Sequence, residues 1–526
     1  MIYTSERTDL KLEIPNVSIT EYALRHAERL ADKPALIDGP SGRSLTYGQL
    51  AGGIKKVAGG LYARGFRKGD VLAIYCPNMP EYALVFNAVA SVGGINTTVN
   101  PLYTAAELAK QLNDANARFL VTVPPFLDKA LEAAGSSSVE EVFVFGEGEG
   151  ARSFSELMST DSPAPAVEID PKNDLVVLPY SSGTTGLPKG VMLTHHNLVA
   201  NLCQVDGFEE QKRMGEDEII MAMLPFFHIY GMIVVMKLAL AGGATLVSMP
   251  RFDMEEFLGL VQQYKATTLP LVPPVVLGLA KSPLVDQFDL SSVKTIFCGA
   301  APLGRELSIE TSQRIGCPIM QGYGMTEASP VTHLSSMDPD KSRQGAIGKV
   351  IPDTEVRVVD SDGRDCRPGE PGEVLVKGPH LMLGYWNQPE ATAEAIVDGW
   401  LHTGDVATMD GDGFVAIVDR LKDMLISGGE NVYPAEIEQV LLANEKIADA
   451  GVIGIPSAKW DESPLAVIVR RDASLTSDSV IQYTRAKLAP FKTVKAVEFV
   501  DEIPRNPSGK ILKRALRELF SYAAPE

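Results

Sequence analysis

Up to about residue 350 the chain alternates between short apolar runs and stretches with an apolar position every three or four residues. Residues 19–30 read as one amphipathic helix. Thr46 can cap a helix reaching about Arg64. Lys68-Gly69-Asp70 is a turn, 71–75 a buried strand and 81–92 a helix. Thr104 with Glu107 makes a capping-box pattern, and 118–123 is a further strand. The apolar run 175–178 reads as a strand, and 191–203 has helical spacing with Thr194 as its N-cap. Residues 229–249 form the most apolar stretch. Lys237 and the Gly242-Gly243 pair interrupt it, so it reads as a buried helix followed by a strand, not a membrane span. Arg251-Phe252-Asp253 precedes a helix, and 295–298 is a strand. Strands alternating with helices predict parallel α/β sheets.

Beyond Val350 the pattern changes to short strands and turns; 372–378 alternates like a strand. The short charged segment 419–423 stands between two apolar strands and marks the domain boundary. After it come a helix opening at Tyr433-Pro434, strands near 450–455 and 464–470, a helix over about 477–488 and a strand near 494–500. The expected fold is therefore α/β. A large N-terminal domain of α/β subdomains with a β-rich subdomain spans 1–419. A hinge follows at 420–423, and 424–526 form a small mobile α+β domain.

A chain of 526 residues is too long for one core, and 45% hydrophobic with 22% charged residues is ordinary for a globular protein. The net charge of −19 argues against nucleic acid or an anionic membrane as partner. Five scattered cysteines without a CxxC indicate neither a zinc site nor a disulfide framework, and imply a reducing cytoplasm. The N-terminus does not read as a signal peptide, and Ala-Pro-Glu is not a peroxisomal tripeptide.

The chemistry concentrates first at Tyr-Ser-Ser-Gly-Thr-Thr-Gly-Leu-Pro-Lys-Gly, residues 180–190. Glycines let backbone wrap an anion, hydroxyls and amides donate to it, and Lys189 adds charge. The string departs from the usual P-loop, because its lysine follows a proline and precedes a glycine. A surface turn would use the same small residues, but would not need this density of donors. The acidic Gly-Glu-Gly-Glu-Gly at 146–150 lacks a following helix and reads as a loop. Further candidates are Gly299-Ala300-Ala301 at a strand end, where a flat ring can lie on the backbone, and Gln321-Gly322-Tyr323-Gly324-Met325-Thr326-Glu327. Tyr323 offers a stacking face, Thr326 a phosphate-binding hydroxyl and Glu327 a hard oxygen ligand for Mg²⁺. Asp405 can accept two hydrogen bonds from a ribose diol. Lys510 is displayed by Pro-Ser-Gly ahead of a basic helix.

Together these ordered strings resemble the acyl-adenylate-forming enzymes, which include acyl- and aryl-CoA ligases, firefly luciferase and the adenylation domains of peptide synthetases. The resemblance runs from about residue 20 to 516. It implies ATP-dependent activation of a carboxylic acid to acyl-AMP, then thioester formation with coenzyme A. Lys510, Lys189, Thr326 and Glu327 would be catalytic, with Glu327 near Mg²⁺. ATP or AMP would contact Ser181, Ser182, Gly183, Thr184, Thr185, Gly186, Lys189, Gly299, Ala300, Ala301, Gln321, Gly322, Tyr323, Thr326, Asp405, Arg420 and Lys510. His228, Tyr230, Phe297, Gly299, Gly324, Pro330 and Val331 would line the acyl pocket, with His228 serving as wall and not as proton carrier. Arg251, Gly428 and Gly429 would meet coenzyme A, and Lys422 would be the pivot of domain rotation.

The pocket strings at 228–230, 272–276 and 328–331 resemble 4-coumarate-CoA ligases, which makes an aryl-propenoic acid the first expectation. There are departures. No cysteine stands in 372–378, Phe297 occupies a position where the plant enzymes tend to have lysine, and Ile426 and Gly428 replace two hinge-side lysines. Phe297 favours less polar acids over polyhydroxylated ones, and a medium- or long-chain fatty acid is the alternative. A luciferase-like oxygenase, a peptide-synthetase adenylation domain and a non-enzymatic binding module are the competing classes. A monomer or homodimer is expected.

Overall fold

The computed structural model describes residues 2–4, 12–181, 188–208, 214–338, 341–343, 345–427, 430–457, 460–506 and 509–522. Among these residues the strands form four sheets. The first has Val71–Tyr75 near its centre, paired in parallel with Ile95–Thr98 and Ala117–Thr122. Leu175–Ser181 continues that sheet in parallel, then Lys189–Thr194 and Gly384–Tyr385 close its edge in antiparallel fashion. The second sheet runs through Ile219–Ala222, Thr268–Leu271, Thr295–Cys298 and Ile319–Gly324, all parallel. The third is antiparallel in its central strands, Glu355–Val359, Gly372–Lys377, Trp400–Met409 and Val415–Arg420. The chain is thus α/β, with a β-rich part after residue 350, as its patterning predicts.

The helices start where local chemistry tells them to. Thr46 and Gln49 close a capping box on Tyr47–Ala63, and Thr104 and Glu107 one on Ala105–Asp114. Val71–Tyr75 is buried at every position, as a strand covered on both faces must be. The apolar stretch near 240 forms Tyr230–Lys237, a π-helix, then Leu238–Gly242 and the strand Thr245–Ser248. No described helix is long and apolar enough to cross a membrane.

Two expectations need correction. The first helix stops at Ala23, although its apolar spacing continues. The Arg25 guanidinium donates to the Tyr22 carbonyl, an acceptor the next turn would otherwise use. Residues 191–194 belong to a strand, and the helix begins only at His195. Here Val191 and Leu193 are buried on alternate positions and register with Tyr385 and Val177, so the period of two prevails until the Thr194 cap.

From Leu425 onward the strands make a separate five-stranded sheet. Leu425, Ile437, Val452, Ile468 and Val480 form part of a buried cluster of their own there. The helix Lys513–Leu519 ties this part back to the 419–423 segment. Arg517 pairs with Asp423 at 3.0 Å, and Lys513 lies 3.3 Å from Glu438 and 4.0 Å from Asp419. The Asp419 carboxylate also accepts from the Ala435 N–H at 2.8 Å, in the first turn of Pro434–Leu442.

Candidate functional site

Several candidate residues stand at the carboxyl ends of strands in the first two sheets, Leu175–Ser181, Thr295–Cys298 and Ile319–Gly324. Ser181 and Lys189 register across the antiparallel pair that carries the donor-rich loop. Ser182, Gly183, Thr184, Thr185 and Gly186 lie outside the described residues, as do Gly428 and Gly429. The base of the loop is clamped by aromatic rings. A Cβ on Gly190 would sit 3.2 Å from the Tyr180 ring and 3.3 Å from the Trp386 Cβ, so any larger residue would have to push these neighbours aside. Asp114 holds both clamps: its carboxylate accepts from the Tyr180 hydroxyl at 2.5 Å, and its carbonyl from the Trp386 indole at 3.0 Å.

Across from Lys189 the single turn Thr326–Ala328 presents Glu327. Glu327 is only 7% exposed. Its Oε1 accepts from the Ser181 hydroxyl at 3.1 Å and from the Tyr385 hydroxyl at 2.9 Å. No lysine, arginine or histidine pairs with it among the described residues. A buried carboxylate facing only hydroxyls is suited to a hard divalent cation, which supplies the missing charge. No group of three or more histidine, cysteine or acidic residues that could hold a metal occurs among the described residues. A cation here would therefore share Glu327 with phosphate oxygens and water. The turn is forced locally: a Cβ on Gly324 would stand 2.0 Å from the Pro330 carbonyl oxygen.

On the opposite side Tyr323 donates to Asp405 Oδ2 at 2.6 Å, and Arg420 Nε stands 3.3 Å from Asp405 Oδ1. Asp405 and Arg420 register across the pair Trp400–Met409 and Val415–Arg420, so the sheet itself brings them together. Ala300 takes a left-handed φ of 69°, which turns the chain sharply after the Thr295–Cys298 strand. Gln321, from the neighbouring strand, is fixed by its N–H donating to Ser335 at 2.8 Å. These strand ends pack closely against the Tyr230 ring. A Cβ on Gly299 would meet the Tyr230 ring at 3.2 Å and the Gly322 carbonyl at 3.4 Å. Tyr230 donates to the Phe297 carbonyl at 3.3 Å, and its own N–H donates to His228 Nδ1, also at 3.3 Å. Burial, helped by the Lys510 charge, draws His228 down to about 4, so its ring is neutral at pH 7. That agrees with a wall. Pro330 and Val331 are buried, and Val331 exchanges backbone hydrogen bonds with the Asn201 amide.

Lys510 reaches the same place from the last sheet. Its N–H donates to Asn506 Oδ1 at 2.9 Å, and Arg505 braces the turn by donating to the Gly509 carbonyl while pairing with Asp449. Gly509, at φ +81°, packs toward Pro274 and Val272 of the larger part. Burial and the Arg420 charge draw Lys510 down to about 8, against the raising influence of Asp405 and Asp423. Lys422 is likewise drawn to about 8, by burial and then Arg420. Arg251 is exposed beside the Asp253 cap of Met254–Tyr264, and among the described residues no hydrogen bond or ion pair links it to Lys510, Asp405 or Glu327.

The profile of the AMP-binding enzyme family matches residues 24–386, and that of the AMP-binding enzyme C-terminal domain matches 436–510. The chain belongs to the AMP-binding enzyme family. Among curated relatives, 4-coumarate–CoA ligase 1 of Solanum tuberosum is 40% identical over 98% of this chain and 96% of its own. 4-Coumarate–CoA ligase 5 of Oryza sativa is 39% identical over 99% of both. Among solved structures, an anthranilate CoA ligase in complex with anthranoyl-AMP superposes with TM-score 0.88 at 28% identity, over 97% and 98% of the two chains. ATP-bound MatB from Rhodopseudomonas palustris gives 0.85 at 31%, over 96% and 99%. The protein is an AMP-forming acid–thiol ligase of the acyl- and aryl-CoA type, an adenylate-forming enzyme that uses ATP and coenzyme A. One residue of this ligase's phosphate side escaped the sequence reading. Tyr385 touches both Glu327 and Lys189, and its only signal was its place in a Gly-Tyr-Trp string after the β-rich segment.

Proposed function

We propose that this ligase converts an aryl-propenoic acid of the 4-coumarate or cinnamate type to its CoA thioester. The observation that carries the reading is the aromatic wall at this strand end, where the Tyr230 ring lies against the Gly299 backbone beside the buried, neutral His228. The full-length similarity to plant 4-coumarate–CoA ligases supports it. Phe297 puts no charge near that wall, which favours cinnamate over polyhydroxylated acids. A medium- or long-chain fatty acid is the second reading. It rests on that apolar lining and on likeness to a fatty acyl CoA synthetase of Mycobacterium tuberculosis, which has a TM-score of 0.75 at 30% identity.

In the first step two anions must meet, so the site supplies positive charge and donors. Lys510 bridges the acid's carboxylate and the α-phosphate of ATP, while Lys189 with the 181–186 loop holds the outer phosphates. Gly299, Ala300, Ala301, Gln321, Gly322 and Tyr323 frame the adenine and acyl-AMP, Thr326 binds phosphate, and Asp405 with Arg420 takes the ribose. Glu327 would hold Mg²⁺, which would neutralise phosphate charge. His228, Tyr230, Phe297, Gly324, Pro330 and Val331 enclose the acyl group. In the second step 424–526 turn against 1–419 about Lys422, withdrawing Lys510 and bringing Gly428 and Gly429 in. Arg251 then meets a coenzyme A phosphate. The catalyst acts in a reducing cytoplasm as a monomer or homodimer.

The test is CoA-dependent AMP release across acetate, hexanoate, dodecanoate, benzoate, cinnamate, 4-coumarate and caffeate. Preference for cinnamates supports the aryl reading; a maximum at hexanoate or longer replaces it with the fatty-acyl one.

A further inference from the structure

We propose that Tyr385 is a positioning residue that couples the phosphate-side lysine to the carboxylate assigned to the metal. The proposal rests on the roles given above to Lys189 and Glu327. Three contacts carry it. The Tyr385 hydroxyl donates to Glu327 Oε1 at 2.9 Å. The Lys189 ammonium sits over the Tyr385 ring, 4.7 Å from its centroid. The backbone beneath is the edge strand laid on Lys189–Thr194, with Val191 opposite Tyr385 and Trp386 N–H donating to Gly190 at 2.8 Å. One side chain therefore faces two of the charges that the first step uses, and it is bolted to the strand from which Lys189 projects.

The chemistry of each contact is different. A carboxylate only accepts, so the single phenolic proton points at Glu327. A phenol is ordinarily protonated at neutral pH, so the hydroxyl is the donor to this carboxylate. Ser181 donates to the same Oε1, so both hydroxyls use one oxygen and leave Oε2 to face a cation. The ring face attracts the lysine through its quadrupole and keeps it from closing onto Glu327 as an ion pair. Such a pair would neutralise the carboxylate and take the lysine from the phosphates. The backbone demands are equally specific. Gly384 has φ +145°, and a Cβ there would stand 2.5 Å from Thr392, whose hydroxyl accepts from the Tyr385 N–H at 2.8 Å.

The two functions separate in two substitutions of the full-length protein. Tyr385→Phe keeps the ring and loses the hydroxyl; Tyr385→Leu loses both. Calorimetric ATP binding is measured with and without Mg²⁺, together with the melting temperature and the thioester half-reaction from preformed acyl-AMP. Tyr385→Phe is expected to bind ATP alone as the parent does, and to lose roughly ten-fold of the affinity gained on adding Mg²⁺, the weight of one hydrogen bond to a charged group. Tyr385→Leu is expected to weaken Mg²⁺-free binding as well. Both are expected to keep the thioester step. A full Mg²⁺ gain in Tyr385→Phe overturns the proposal, and so does equal weakening with and without the metal. Glu327→Gln separates the premises. If it loses the gain while Tyr385→Phe keeps it, Tyr385 alone is misassigned. If it keeps the gain, the metal role of Glu327 falls and takes this proposal with it.

Discussion

Lys510 is expected to give adenylation an alkaline limb that thioester formation lacks. Burial, reinforced by the neighbouring Arg420 charge, draws the ammonium down to about 8. The charged form is the one that can bridge a carboxylate and a phosphate, and it is the form lost as pH rises. In the free enzyme the protonated fraction is about nine-tenths at pH 7, half at pH 8 and one-tenth at pH 9, so kcat/KM falls roughly ten-fold between pH 7 and 9. The assay is acid-dependent pyrophosphate release in the absence of coenzyme A. The companion assay is CoA attack on preformed acyl-AMP, whose rate rises over the same range as the thiol ionises. Lys510→Arg cannot titrate there, so it is expected to be slower but free of the limb. Lys422 also titrates at about 8 and faces the same charges, so Lys422→Arg is the control and keeps the limb. A flat adenylation profile to pH 10, or a limb that survives in Lys510→Arg, refutes the reasoning.

Lys422→Pro is expected to preserve pyrophosphate release and to lower the thioester step by ten-fold or more, on the order of a lost conformational step. Among the described residues the Lys422 N–H donates no hydrogen bond, so proline removes none; equal loss in both half-reactions would remove the pivot. Gly299→Ala places a methyl 3.2 Å from the Tyr230 ring and 3.4 Å from the Gly322 carbonyl, and because Gly299 frames the acyl-AMP common to all acids it is expected to cut kcat/KM across the acid panel by about ten-fold or more; an unchanged kcat/KM counts against its place in the site. Lys237 is fully buried, donating to Asn87 at 2.6 Å over the Phe86 ring, and desolvation holds it well below 10.5. The unfolded chain binds that proton more tightly. The lysine therefore costs nothing above about pH 10.5 and increasingly more as pH falls toward its depressed value. Lys237→Met is expected to raise stability at pH 7 and to flatten its pH dependence in urea titrations; an unchanged slope refutes this.

Much of the local architecture was legible in the residues. The capping boxes at Thr46 and Thr104, the Thr194 cap, and the strands Val71–Tyr75 and Thr295–Cys298 fall where neighbouring side chains direct them. The donor-rich string at 180–190, Glu327, Asp405 and Lys510 could be singled out as candidates, because each stands in a string of distinctive residue types. Where chain neighbours leave two periods open, at 191–194, only the partner strand decides. The same holds for the site. Tyr385 becomes a partner of Glu327 because strand pairing lays it against Lys189–Thr194. Arg420 meets Asp405 because two strands register. Capping and alternation act between residues a few positions apart, so they are written in the chain. The charge that Lys510 feels is not, since it depends on burial and on Arg420, Asp405 and Asp423, which reach it only when the last sheet closes over the crevice.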